Sequence, residues 1–483
     1  MPSTLPDTNA WLALSGARFD IEGQDHLAAI REQFPTEPTE DADRKKLRAR
    51  WEQFLQDLRI RIGTLLKTDS VSFLLGAGAS REAGGVLIGS LPLEVERLLF
   101  EQGTAGPRVR GWLRLFYLAV RYDNVEGGLA AATPVERNEI LVRRDNLGAA
   151  TALPVNFERV LSRLHRWRSA LPVQGGRLRL EGPPALDADG GRLDECLQQA
   201  KTALARCCLL PVPGAESALR SYAEFLKKLL TRPLNLKRVN LFTLNYDTLV
   251  EQASDSEGVV LLDGFVGTVR RIFRPESYDQ DLYFPAETTE GRVHRLDRVI
   301  HLYKLHGSIS WRATEADWNN PYGVSIDGAF NTPSGSPLIY PTPLKYGETL
   351  GMPYAELFRR FAAAVVRPQS TLFVIGYGFG DDHVNAIIRQ ALAVPSFTLV
   401  VVDPLAPSPN PNGGFLARLR ARKDRRVWVL SGEALGKFAT FVESVLPDLR
   451  DEEILRKVVE THRSLAASPA GPGDTGGGDG ERF

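Results

Sequence analysis

The chain has 483 residues, enough for two to three domain-sized units, and 43% of them are apolar, as in a globular protein with a sizeable core. Lysine plus arginine equals aspartate plus glutamate, 59 against 59, so the overall charge gives no argument for direct nucleic-acid binding or for a membrane surface. The three cysteines, Cys196, Cys207 and Cys208, make neither a CxxC pair nor a metal-ligand spacing, which argues against a disulfide framework and for a reducing compartment.

The first residues lack a basic segment running into an apolar one, and no apolar stretch approaches the ~18 residues of a membrane span. The expectation is a cytoplasmic protein with no membrane contact. Residues 1–66 read as a helical segment: Leu47, Trp51, Phe54, Leu55, Leu58, Ile62 and Leu65 recur at three- and four-residue steps and make one apolar face, for packing on its own domain or on a partner. Val71–Leu75 is a short apolar strand that runs into Gly76-Ala77-Gly78-Ala79-Ser80, and helical spacing resumes over 91–99. A strand that ends in glycines and reopens as a helix suits an anion, because the backbone can approach closely and N–H groups face it; a plain turn has the same pattern.

Residues 95–235 show helical spacing around 113–120, 157–164 and 222–230, with a Gly-, Pro- and Asp-rich loop at 171–192. The spacing implies a large helical insertion between two strands of one sheet. Strands return at 239–244, ending in Asn245-Tyr246-Asp247, and at 301–305, ending in His306-Gly307-Ser308. Between them, 258–300 reads as a meander, and 312–350 as a long Pro- and Gly-rich loop. After a helix at 352–366, Thr371–Ile375 is a strong strand followed by Gly376-Tyr377-Gly378, and Asp381-Asp382 can cap the next helix. Strands at 397–402, ending at Asp403, and 426–430 complete the series, with a last helix at 435–445 and a polar tail from 468 that reads as disordered.

This alternation implies an α/β fold: a Rossmann-like, mostly parallel sheet with helices on both faces and a large helical insertion. The expected division is a helical segment over 1–66, a binding domain over 67–450 with its insertion at about 95–235, and a helix end plus tail over 451–483. Ligands in such sheets sit at the carboxyl ends of the strands. Five strand ends here carry glycine or polar residues.

These residues resemble a sirtuin-type (SIR2-like) domain. GAGAS at 76–80 is similar to the family's GAGxS phosphate loop, TLNYD at 243–247 to its TxNxD motif, and the His306-Gly307 pair to its HG motif. Gly376-Tyr377-Gly378 stands where the family has a second glycine loop on the dinucleotide. The four-cysteine zinc module of the deacylases and the acidic-Phe-Arg segment after the glycine loop are absent. A TxNYD motif without zinc looks like the bacterial SIR2-like effectors of anti-phage defence. The resemblance therefore implies hydrolysis of NAD⁺ as substrate, with no zinc, in a homo-oligomer or with a HerA-type ATPase or Argonaute-like partner.

Cleaving nicotinamide from ribose needs little acid help, since the pyridinium leaves neutral; the difficulty is the oxocarbenium-like charge left behind. The analogy favours Asn245 and His306 as catalytic. The Asn245 amide oxygen would orient water or a ribose hydroxyl, and His306 would act as general base. Gly76, Ala77, Gly78 and Ser80 would receive the pyrophosphate, Ser80 through its hydroxyl, and Gly376, Tyr377 and Gly378 would line the dinucleotide. Asp247 would hold the ribose or the nicotinamide amide, or cap the following helix, and Asp403 would accept from the adenosine ribose or make a turn. Taken singly, Asn245 also suits an Asx turn and His306 a hydrogen-bonded core position. The function expected is NAD⁺ glycohydrolase in phage defence. The alternative is a non-catalytic NAD- or ADP-ribose-binding assembly module that controls a partner.

Overall fold

The computed structural model describes residues 10–87, 90–105, 108–126, 157–171, 176–180, 186–285, 293–326, 337–339 and 353–451, with 456 and 460. The expected polar tail, the first residue of the 352–366 helix and most of the 327–350 stretch lie outside the described residues.

A nine-stranded sheet organises the chain. Its strands are β1 (Arg18–Ile21), β2 (Gln24–Asp25), β3 (Ser70–Leu75), β4 (Asn240–Thr243), β5 (Val260–Leu262), β6 (Val299–Lys304), β7 (Ser370–Ile375), β8 (Thr398–Val402) and β9 (Val427–Ser431). The spatial order is β2-β1-β9-β8-β7-β3-β4-β6-β5. Every pairing from β9 to β5 is parallel, while β1 runs antiparallel to β9 and to β2. The central strands β3 and β7 are buried at every residue, which is why they read as continuous apolar runs rather than alternations. After β3 the chain goes to β4 and beyond on one side, then returns to β7 and moves outward on the other. The β3/β7 boundary is therefore the topological switch point, where open α/β sheets bind ligands.

The α/β class and the mostly parallel sheet agree with the expectation from sequence. The differences are local. The segment read as helical over 1–66 also contains β1 and β2, which extend the main sheet through β9. Its long helix, Asp41–Leu65, buries Leu47, Trp51, Leu55, Leu58 and Ile62 in the same core as Phe73, Phe225 and Phe373, so this apolar face is covered within the chain. The stretch 171–192 is not a simple loop. It holds a hairpin of Arg177–Leu180 against Leu186–Asp189, then enters the helix Gly190–Cys207, whose first turn Asp189 caps by accepting from the Arg192 N–H. A second, five-stranded antiparallel sheet was also missed: Phe265–Val266, Arg271–Phe273, Val324–Ile326, Gly307–Ala313 and Pro337–Ile339, in that spatial order. Four of these strands have only two or three residues, too few to show a period, and lie in the stretches that read as meander or loop.

Among the described residues, three clusters of buried side chains make the core. One lies on each face of the main sheet, centred on Phe73 and Phe373 on one side and on Phe242, Phe361 and Val374 on the other. The third gathers the helices Leu91–Gly103, Gly111–Glu126, Phe157–Ser169 and Gly190–Cys207, and it includes Ile309 with Tyr246 packed against it. The insertion therefore has its own core, and that core touches the sheet next to the TLNYD motif.

Candidate functional site

Register places the motifs side by side. Val402 pairs with Ile375, Ile375 with Leu75, Leu75 with Thr243 and Thr243 with Lys304, so five strands end in one row. Each ladder continues one step further: Gly376 N–H donates to Val402 O, Gly76 N–H to Ile375 O, Leu244 N–H to Leu75 O and Leu305 N–H to Thr243 O. Asn245 and His306 thus leave adjacent strands at the same level, two residues beyond the row.

The two glycine loops interlock. Ala77–Ala83 is a 3-10 helix that starts directly after β3, and Gly78 N–H donates to Gly376 O at 2.8 Å. A Cβ on Gly78 would stand 2.7 Å from the Gly376 Cα, and one on Gly376, whose φ is +64°, would stand 2.6 Å from the Gly78 carbonyl carbon. Only glycine fits at either position. Ala79 N–H also turns inward, to Gly76 O. In this arrangement the amide donors of Gly78 and Ala79 are used within the protein, between the two loops and within the first.

Ser80 is bonded internally in the same way. Its hydroxyl has one proton and two acceptor lone pairs. The proton goes to Asp247 Oδ2 at 2.7 Å, and the oxygen accepts from Asn245 Nδ2 at 2.9 Å. The Tyr222 hydroxyl, 3.2 Å away, is left as a donor to Ser80. With these three contacts the Ser80 hydroxyl is saturated inside the network and anchors Asn245. Asp247 is also structural here. It is 8% exposed, and its Oδ1 accepts from Leu249 N–H, tying down the first turn of the helix Leu249–Glu257.

Asn245 is half-buried and uses both amide hydrogens, one on Gly76 O at 2.9 Å and one on Ser80 Oγ. A planar amide held by both N–H groups leaves Oδ1 as its acceptor for a bound molecule. On the neighbouring strand, His306 Nε2 lies 3.0 Å from Asp381 Oδ2. A carboxylate there makes Nε2 the protonated nitrogen of the neutral ring and gives the lone pair to Nδ1. Asp381 also accepts from His383 N–H as the cap of the helix Asp382–Leu392, and its own N–H is held by the Tyr377 hydroxyl. Tyr377 is 3% exposed, is packed in the core and holds the backbone of Asp381. Gly378 is exposed. Asp403 accepts from Leu405 N–H at 2.8 Å, the turn geometry that the sequence left open beside the ribose contact, and burial raises its carboxyl above the ordinary range.

Aromatic and buried charged groups surround the pair. The His306 ring has Tyr246 at 6.3 Å and Phe358 at 6.2 Å, centroid to centroid. Beneath the TLNYD loop, Lys304 bonds to the Asp247 carbonyl and to Glu251 Oε1. Burial pushes the thiols of Cys207 and Cys208 up, Cys207 to about 11, so neither is a ready nucleophile. Among the described residues, no three His, Cys, Asp or Glu side chains gather as metal ligands.

Three neighbours of the candidate site have little or no signal in the sequence. Asp381 was read only as a helix cap, although an acid directly after a strand-end glycine loop could have been tested as a histidine partner. Lys304 carried a signal of its own, a charge closing an otherwise apolar strand. Tyr222 comes from the insertion, 142 residues from Ser80 in the chain, and nothing in its local pattern marked it.

Residues 239–412 match the family model of the SIR2-like domain. The matched segment runs from the start of the TLNYD strand past Asp403 and includes Asn245, His306, Gly376 and Asp381; the glycine loop at 76–80 lies outside it. No curated protein matches the chain. The match supports the SIR2-like family and is compatible with an NAD-related activity. Among the described residues, no helix is long and apolar enough to cross a membrane.

Proposed function

With a SIR2-like domain as premise, we propose that this chain is an NAD⁺ glycohydrolase that cleaves NAD⁺ with water to nicotinamide and ADP-ribose. The observation that carries this reading is the pair of groups at adjacent strand ends. Asn245 has its amide nitrogen fully engaged and its oxygen left to accept, and His306 is held by Asp381. When the bond from nicotinamide to ribose breaks, its electron pair leaves with the ring and neutralises the pyridinium, and positive charge develops on the ribose. Asn245 Oδ1 orients the attacking water or a ribose hydroxyl. His306 takes the proton lost as the new C–O bond forms, and the Asp381 carboxylate stabilises the resulting imidazolium.

The test is nicotinamide release by the purified chain and by folded Asn245→Ala and His306→Ala variants. Release by the wild type that is lost in both variants supports the proposal. A wild type that binds NAD⁺ but releases no nicotinamide, with an activating partner and invading nucleic acid supplied, refutes it. That outcome would favour a binding module that controls a partner. One observation favours this second reading: the core of the insertion includes Ile309 and rests on Tyr246, so a ligand at the site could be felt there.

The resemblance extends the proposal to depletion of cellular NAD⁺ on phage infection, in a homo-oligomer or with a HerA-type ATPase or Argonaute-like partner. Its support is the motif set alone. NAD⁺ levels in infected cells carrying the wild type or His306→Ala would test it, and equal levels would count against it.

A further inference from the structure

Lys304 is a charged residue where none is needed for packing. It closes the apolar strand β6, two residues before His306, and is 3% exposed. Burying an ammonium is costly unless it is paired and hydrogen-bonded. Two partners are present: Glu251 Oε1 at 2.9 Å, on the first turn of the helix Leu249–Glu257, and the main-chain carbonyl of Asp247. The second is the informative one. An ammonium has three N–H donors, and the one given to Asp247 O, beside the one given to Glu251, pins the loop that carries Asn245.

Other ties hold the same loop. Asn245 N–H donates to Thr243 Oγ1, and Tyr246 O accepts from Ile309 N–H at 3.0 Å. Asp247 Oδ2 accepts from Ser80. Lys304 adds a charge-assisted tie from the strand that delivers His306, and such bonds are roughly twice as strong as neutral ones. We propose that Lys304 is a positioning residue: its ammonium, bound to Asp247 O, fixes the Asn245 loop against the strand that carries His306, and Glu251 serves to hold that ammonium in place. This rests on the glycohydrolase reading for its consequence in rate, but its structural content stands apart from it. Glu251 fits the supporting part. Its Oε2 is buried without a hydrogen-bond partner, and burial raises its carboxyl while Lys304 opposes the shift.

The test separates the charge pair from the carbonyl tie. Lys304→Met keeps the length of the stem and removes the ammonium, leaving Glu251 without its counter-charge. The double variant Lys304→Met/Glu251→Gln removes the charge imbalance but still lacks the bond to Asp247 O. Three readouts are compared with wild type: the urea midpoint, hydrogen exchange of the peptide covering 244–249, and kcat and KM for nicotinamide release. The proposal expects the single variant to lose stability, and the double variant to regain most of it. It expects both to exchange faster over 244–249 and to lose on the order of 10²-fold in kcat with KM little changed, as a loosely placed catalytic group does. If the double variant recovers protection over 244–249, or wild-type kcat, Lys304 is only a counter-charge and the proposal is overturned. A wild type that releases no nicotinamide defeats the glycohydrolase reading, and hydrogen exchange still decides the role of Lys304.

Discussion

Ser80→Ala gives the sharpest test of how the site is held. The substitution removes one oxygen and leaves the backbone of the 3-10 helix unchanged. Asp247 then loses the 2.7 Å bond to its carboxylate, worth about 1.5–3 kcal/mol for a charged acceptor. The Tyr222 hydroxyl, buried in the core, loses its partner, at a further cost of about 1–3 kcal/mol. Asn245 keeps Gly76 O but loses its second anchor. These costs share one atom and do not simply add, so the expected total is about 3 kcal/mol. Urea unfolding at pH 7 measures it, and nicotinamide release by the same protein should fall about tenfold as the Asn245 amide gains freedom. A loss of stability below about 1 kcal/mol together with an unchanged rate would show that the Ser80 network does not support the site, and the argument for Asn245 would fall with it.

Gly376→Ala places a Cβ 2.6–2.7 Å from the Gly78 backbone at a φ of +64°, so it should cost about 2–4 kcal/mol in unfolding experiments. Gly378→Ala, which meets nothing within 4 Å, should stay within about 0.5 kcal/mol of wild type, and equal effects at the two positions would refute the interlocked-loop account. Asp381→Asn keeps an oxygen to accept from His383 N–H but can set an amide N–H against His306 Nε2. The fold should survive while nicotinamide release drops on the order of 10²-fold, and an unchanged rate would remove Asp381 from the mechanism. His301 is half-buried, with both ring nitrogens buried and without a hydrogen-bond partner, and burial, aided by Arg238, lowers its pKa to about 4. Its unfolded value is higher, so the stability is complete above pH 6.5 and is lost as pH falls towards 4, by about 2 kcal/mol at pH 5. His301→Phe should flatten that dependence, as followed by urea midpoints at pH 7 and pH 5.

The sequence carried the central strands clearly because parallel strands buried on both faces are continuous apolar runs. Val71–Leu75, Thr371–Ile375 and Phe397–Val402 all read this way, and each is a strand within a residue of that range. The same logic hid β1 and β2: a strand of four residues and one of two, at the sheet edge, have too few positions to show a period. The five-stranded sheet was hidden because its pairings join short pieces far apart in the chain, such as Arg271 with Ile326. At the candidate site, the placement of Asn245 and His306 at neighbouring strand ends was legible from motif spacing. The internal bonds of Gly78, Ser80 and Tyr377 were not, because a residue type that suits a ligand also suits an internal bond. Only the partners decide, and Tyr222 and Asp381 lie in parts of the chain that no local pattern links to these residues.

The clasp between Gly78 and Gly376 also bears on how the protein is made. The two loops are about 300 residues apart, and the row of strand ends is complete only when β8 joins β7 at Val402. A ribosome adds residues one at a time, and non-local pairing cannot form before both segments exist. Until β7 is synthesised, β3 has β4 on one side and an open edge on the other, and the 3-10 helix lacks the carbonyl that Gly78 binds. Asp381, which orients His306, arrives later still. A nascent or truncated chain thus carries the TLNYD and HG motifs without an assembled site. For a protein proposed to destroy an essential cofactor, the topology withholds competence until the strands on both sides of β3 have been made.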